Sequence, residues 1–381
     1  MENIYLYMII ALAFLAIADL VVGISNDAVN FLNSAIGSKA ISFRTIMIVA
    51  SVGVAVGAIF SSGMMEVARK GIFNPSEFMF NEIMIIFMAV MITDILLLDF
   101  FNSLGMPTST TVSIVFELLG AAVAMALIKI GANGGDFSEV VNYINTSKAS
   151  QIIFGILLSV VVAFSIGAVV QWVSRLLLSY NFQRKAHWVG ALFSGIALTA
   201  ITYFIFMKGL KGTSYAKQSF DIIGGGTMKD FLETQVLTIV LISSVFWSLL
   251  SYGLIVIAKT NIYKLIIIVG TFALALAFAG NDLVNFIGVP VAAYNAFLEW
   301  SASGMSATEF PMDVLASKVP TNNWLLLGAG MVMVVTLWFS AKAKDVVKTS
   351  LDLSSQRETK ERFQPNTLSR GLVRIAMGAS K

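Results

Sequence analysis

The apolar residues of this chain fall in uninterrupted blocks about as long as a bilayer is thick, and few folds accommodate that. Nine candidate spans cover residues 4–24, 45–63, 82–98, 107–128, 152–177, 187–207, 235–258, 262–281 and 324–341. Each is near the ~20 residues an α-helix needs to cross the hydrocarbon core. In lipid every backbone N–H and C=O must be satisfied internally, and a barrel would need short alternating segments rather than long continuous runs. The pattern therefore predicts an all-α, polytopic membrane helix bundle. Composition agrees, with 57% hydrophobic and 12% charged residues, against about 25% charged in soluble domains. The first run follows Met1-Glu2-Asn3, which lacks a positive charge, and no A-x-A-like site comes after it. It is expected to be a retained first helix rather than a signal peptide.

Basic residues in the connections set an expected orientation. Lys39, Arg44, Arg175, Arg184, Lys185, Lys259, Lys264, Lys342, Lys344 and Lys348 collect on one side. That side is expected to be cytoplasmic, with the N-terminus outside, the C-terminus inside and the chain in a cell (inner) membrane. Arg69 and Lys70 fall on the wrong side of this scheme, in a segment mixed with Glu66, Glu77 and Glu82. The expected organisation is a first repeat with following helices at 1–207, an extracytoplasmic loop at 208–234, a second, incomplete repeat at 235–341 and a basic cytoplasmic tail at 342–381. The tail holds nine Lys/Arg against four Asp/Glu and no apolar run of spanning length. It reads as solvated chain, with a surface helix on anionic lipid as the alternative.

Several function classes have little to work with. There is no cysteine, and the single histidine, His187, sits beside Trp188 and near Lys185 like a membrane-interface residue. A nucleophile–base pair is not evident, so no enzyme is expected. The net charge of +3 forms no nucleic-acid patch.

The most informative local feature is an internal repeat. Asn26-Asp27-Ala28-Val29-Asn30-Phe31 recurs as Asn281-Asp282-Leu283-Val284-Asn285-Phe286, identical at five of six positions. Each copy follows an apolar helix and is flanked by glycines, Gly23 and Gly37 at the first, Gly280 and Gly288 at the second. Glycine and Asn-Asp pairs interrupt helices. By span count the copies have opposite topology, the arrangement with which many secondary transporters build a midplane site from broken helices. Helix capping alone would not require Val and Phe at matching offsets.

A second cluster, Met106-Pro107-Thr108-Ser109-Thr110-Thr111, opens the fourth span. Pro suits a helix start. Four hydroxyls beside free N–H groups at a helix N-terminus suit an oxyanion such as phosphate, whereas one Ser or Thr would suffice as a cap. Carboxylates inside apolar spans are costly and point to function. Here they are Asp19, Asp27, Asp94, Asp99, Glu117 and Asp282. Asp94 and Asp99 also read as interfacial groups, and Glu117, one or two turns from the hydroxyl cluster, reads as a cation or proton ligand.

These residues resemble the PiT family of inorganic phosphate transporters. The paired Asn-Asp-x-x-Asn segments, the Pro-Thr-Ser-Thr-Thr element and Glu66-Val67-Ala68-Arg69-Lys70-Gly71-Ile72 carry the resemblance, which covers most of residues 1–300. It implies cation-coupled phosphate import, Na⁺ favoured over H⁺, by alternating access of two inverted halves. Asn26, Asn30, Thr108, Ser109, Thr110, Thr111, Asn281 and Asn285 would bind phosphate. Asp27, Asp282 and Glu117 would couple the cation, with Na⁺ at Asp27 and Asp282, and no cofactor. A homodimer is left open. Val112 stands where the family often has His, and the apolar Gly53-Val54-Ala55 where it carries a glutamate. No second Pro-x-Ser-Thr-Thr follows Asn285, so a truncated chain is expected. A permease for sulfate or another tetrahedral oxyanion, and a non-transporting anion sensor or scaffold, are the competing readings.

Overall fold

A computed structural model of the chain describes residues 2–61, 72–179, 182, 187–207, 218–219, 226–316, 323–354 and 367–379. The segment from Glu66 to Gly71, with Arg184, Lys185 and Gly224-Gly225, lies outside the described residues. Among those described, the chain is helical, with isolated β-bridges and no strand. The main helices are α1 (Glu2–Asp27), α2 (Val29–Ser38), α3 (Phe43–Ile59), α4 (Phe80–Leu104), α5 (Thr110–Asn133), α6 (Thr146–Leu178), α7 (His187–Ile205), α8 (Val236–Val256), α9 (Ile262–Ser303), α10 (Asn323–Phe339), α11 (Ala341–Ser354) and α12 (Thr367–Ala379). Seven stretches among the described residues are long and apolar enough to cross a membrane, or up to eight if a bent pair counts as one span. The protein is a multi-pass helical membrane bundle, as its apolar blocks dictate.

α1 and α9 run through the middle and serve two hydrophobic cores. On one side they pack with α2, α3, α10 and α11 around Ile24, Phe31, Met47, Val54, Phe286 and Met333. On the other they pack with α4 and α5 around Leu12, Phe80, Phe87, Leu118, Val289 and Ala293. α6 has only Ala149 buried. Its exposed Phe154, Phe164 and Trp172 suit a helix bathed in lipid tails, which are as apolar as the side chains facing them.

α3 and α9 approach each other closely. A Cβ on Gly53 would lie 2.7 Å from the Phe272 carbonyl oxygen, and one on Gly57 would lie 2.2 Å from that of Leu276. Small residues spaced four apart let membrane helices meet backbone to backbone. The repeat's phenylalanines interlock the two copies in the same way. Phe31 meets Phe278 at 5.1 Å, and the Phe286 ring fills the space left by the missing Cβ of Gly23.

Three expectations are corrected here. First, neither Asn-Asp motif unwinds its helix. Ala28 alone separates α1 from α2, is itself right-handed helical (φ −53°, ψ −30°), and keeps 3.0 Å bonds to Ile24 and from Leu32. α9 continues through Asn281 and Asp282 to Ser303, with Pro290 inside it. Asn26 and Asp27 bond the α4–α5 connection and α5, Asn285 bonds α5, and these side chains do not compete for their own backbone. The sharp break is elsewhere: α10 and α11 meet at 66° around Ser340, whose Oγ accepts from the Ala343 N–H at 3.1 Å. Second, residues 342–381 are not all solvated tail. α11 buries Ala343, Val346 and Val347 in the first core, spaced so that one helical face is apolar. Third, Asp94 is not interfacial but fully buried, as is Asp19. Asp99 does lie at a half-exposed position, paired with Lys342 at 2.5 Å.

Candidate functional site

The site assembles where α1, the α4–α5 connection and α9 converge. α4 ends at Gly105, whose left-handed φ of 65° is a conformation that costs glycine little. The chain then passes Pro107 and starts α5 with Ser109 as cap, its hydroxyl accepting from the Val112 N–H at 3.3 Å. Asn26 locks this connection in place. Its amide donates to Asn102 Oδ1 at 2.8 Å and to the Met106 carbonyl at 3.0 Å, and its Oδ1 accepts from the Thr108 N–H at 2.7 Å. Asn102 in turn donates to the Val22 carbonyl at 2.8 Å.

The first turn of α5 lies between the two motif copies. Thr110 donates to Asp27 Oδ2 at 2.8 Å, and Asn285 donates to Thr111 Oγ1 at 2.9 Å. The copies share the same internal contact: Asn30 Nδ2 to Asp27 Oδ1 at 3.4 Å and Asn285 Nδ2 to Asp282 Oδ1 at 3.4 Å. Asp282 also acts electrostatically on Asp27. Two carboxylates far apart in sequence thus come near enough to act on each other, with the N-terminus of α5 bonded to both copies. Such a terminus presents unpaired N–H groups and a positive dipole end.

Chemically, the arrangement offers hydroxyls and amides for an oxyanion and carboxylates for cations. Buried like charges need a cation or proton partner. Among the described residues, no three acidic, His or Cys side chains come close enough to hold a metal ion. A cation at Asp27 and Asp282 would therefore need amide and hydroxyl oxygens to complete its shell.

Of the residues singled out from sequence, the structure brings together Asn26, Asp27, Asn30, Thr108, Thr110, Thr111, Asp282 and Asn285. Asn281 is half-buried next to Asp282. Glu117 is set apart, two turns along α5 from Thr110, at 2.7 Å from Ser113. Thr108, Ser109 and Glu117 line a cavity of about 660 Å³ between α4 and α5. Sequence reasoning missed Asn102 and Ser113. Asn102 gave no such signal, because it falls between the expected spans 82–98 and 107–128.

Comparison with known proteins supplies an independent line. A model of the phosphate transporter family matches residues 24–349. A protein named as a phosphate permease in Pyrococcus furiosus is 25% identical over 339 residues, covering 87% of this chain and 74% of the relative. One so named in Thermococcus kodakarensis is 26% identical over 349 residues, covering 87% and 75%. A solved structure titled as a sodium-dependent phosphate transporter superposes with a TM-score of 0.64 at 19% identity, covering 93% of this chain and 80% of that one. At that identity the likeness speaks for the fold.

Proposed function

The chain belongs to the phosphate transporter family, and from that premise we propose that it imports inorganic phosphate by sodium symport through the site between its two Asn-Asp motifs. It is a transporter and not an enzyme. One observation carries the reading: adjacent threonines of one helix turn engage the two motif copies, Thr110 on Asp27 and Thr111 on Asn285. Phosphate in the pocket meets the N-terminal N–H groups of α5, the hydroxyls of Thr108 to Thr111 and the amides of Asn30, Asn281 and Asn285.

Energetics dictate the cations. A dianion entering against a negative-inside potential of 100 mV faces about 4.6 kcal/mol, at about 2.3 kcal/mol per charge. Two co-transported sodium ions cancel that charge and a third would reverse it. Asp27 and Asp282 are hard oxygen ligands in the right place, and sodium between them relieves their mutual repulsion. Phosphate and sodium then stabilise each other's binding, which is the coupling symport requires. The interlocked phenylalanines of the two copies fit inverted halves that meet at the midplane and alternate about it.

The test is uptake of labelled phosphate into proteoliposomes under an inward sodium gradient. Saturable, sodium-driven accumulation that excess sulfate does not suppress is the expected result. Suppression by sulfate would assign a general oxyanion permease. Binding without uptake would assign an anion sensor. Equal uptake with and without the gradient would remove symport.

A further inference from the structure

Two carboxylates outside the motif pair converge on one hydroxyl, with a third near them. Ser113 Oγ lies 2.6 Å from Asp94 Oδ1 and 2.7 Å from Glu117 Oε1. Both are short hydrogen-bond distances. A serine hydroxyl has one hydrogen and an ionised carboxylate has none. Ser113 can donate to one of the two; the other contact is a hydrogen bond only if that carboxyl carries a proton and donates it to Ser113 Oγ. Near them lies Asp19, wholly buried; no hydroxyl, amide or N–H donates to either of its oxygens, nor to Asp94 Oδ2 or Glu117 Oε2. The charged groups acting on Asp19 are Asp94, Glu117 and Asp27, all acids.

Among the described residues, no ion pair reaches these three acids. On α4, Glu82 is taken up by Lys129 of α5 and Asp99 by Lys342 of α11. On α9, Asp282 acts electrostatically on Asp27, while Lys264 and the exposed Glu299 lie near its two ends. α10 carries no charged residue. Acidic groups so placed cannot all be ionised in a medium of low dielectric. A metal ion would answer the same need, but the three side chains are not drawn together as a metal cage. The cavity of about 660 Å³ between α4 and α5 reaches Glu117, and its other lining is Thr93, Val112, Phe116 and similar residues. It supplies a route by which a proton reaches Glu117 and Ser113; Thr108 and Ser109 line it as well.

We propose that Asp19, Asp94, Ser113 and Glu117 form a proton-binding site separate from the motif pair, loaded from the α4–α5 cavity, so that a proton accompanies phosphate in addition to sodium. The transport half of this statement rests on the phosphate-symport reading; the proton site itself does not. On loading, a proton from water in the cavity joins a carboxylate oxygen of Glu117 or Asp94 and is shared through Ser113.

Infrared difference spectroscopy of the whole protein in liposomes, stepped in pH, reads the site directly. A protonated carboxyl has a carbonyl stretch that a carboxylate lacks. The wild type should show that band and lose it on alkalinisation. Glu117→Gln and Asp94→Asn should each remove or shift it, while Asp99→Asn should leave it. In the transport arm, with sodium equal on both sides, an inward gradient of one pH unit should drive up to about tenfold accumulation per proton. Glu117→Gln should bring that to the gradient-free level while still exchanging labelled for unlabelled phosphate, which shows that it is folded. Absence of the band from the wild type, or its survival in both variants, overturns the site. A pH-gradient response retained by both variants overturns its part in transport. A wild type that moves no phosphate at all sinks the symport reading instead, and the infrared band then decides the proton site alone.

Discussion

The two Asn-Asp copies are nearly identical in sequence and differ in what surrounds them. Asn26 and Asp27 of the first are almost wholly buried, and Asn26 is bonded to Asn102, Met106 and Thr108. Asn281 and Asp282 of the second are half-exposed, and that copy touches the hydroxyl cluster through Asn285. Even the glycines before them differ. Gly23 is covered by the Phe286 ring at 2.0 Å from where a Cβ would stand, whereas at Gly280 the nearest atom is 3.8 Å away. One copy is built into the scaffold and shapes the α4–α5 connection. The other presents its polar groups to the pocket. A repeated motif thus marks a symmetric origin for the site without giving its halves the same work.

The largest effect that can test this contrast is on transport. Asp27→Asn and Asp282→Asn should each lower sodium-driven uptake by up to about 100-fold, as expected when a charge-assisted contact of up to ~3 kcal/mol is lost. Only Asp27→Asn should also lower the melting temperature, because Thr110 loses its carboxylate acceptor. If both variants melt alike, the contrast is broken. Next, Asn26→Ala should destabilise the detergent-solubilised protein by about 2–4 kcal/mol, through the buried groups it strands. Asn281→Ala should cost less than about 1 kcal/mol, in line with partly exposed positions. Denaturant unfolding followed by tryptophan fluorescence measures both.

The glycine pair sharpens the comparison further. Gly23→Ala should cost about 1–3 kcal/mol by overpacking against Phe286. Gly280→Ala should be neutral or stabilise by about 0.5–1 kcal/mol, the helix-propensity gain of alanine over glycine. The smallest effect expected is at the half-exposed pair outside both copies: Lys342→Met should shift stability by less than about 1 kcal/mol.

Much of this was legible in the chain itself. Apolar blocks of bilayer length specify the bundle because lipid leaves the backbone few choices. The matched Phe31 and Phe286 signalled a role beyond capping, and each does pack against the other copy's helix. Other features depend on tertiary partners. Asn281 and Asp282 look like helix breakers in isolation, yet α9 passes through them, with Asn285 donating to Asp282 Oδ1 along the helix and to Thr111 across the bundle. α11 was read as tail because its lysines dominate the composition. Its buried Ala343, Val346 and Val347 show the helical spacing that composition conceals. The convergence of Asp19, Asp94 and Glu117 involves three helices and no local spacing, so only the folded chain reveals it.

The glycine seam between α3 and α9 has a mechanical consequence. Where backbones touch with nothing between them, no compliant layer of rotamers exists to absorb a displacement. Gly53 and Gly57 therefore weld the two helices into a single strut. Any rocking that exposes the pocket first to one face of the membrane and then to the other must carry that strut as a unit, with the give located where side chains, not main chains, form the boundary.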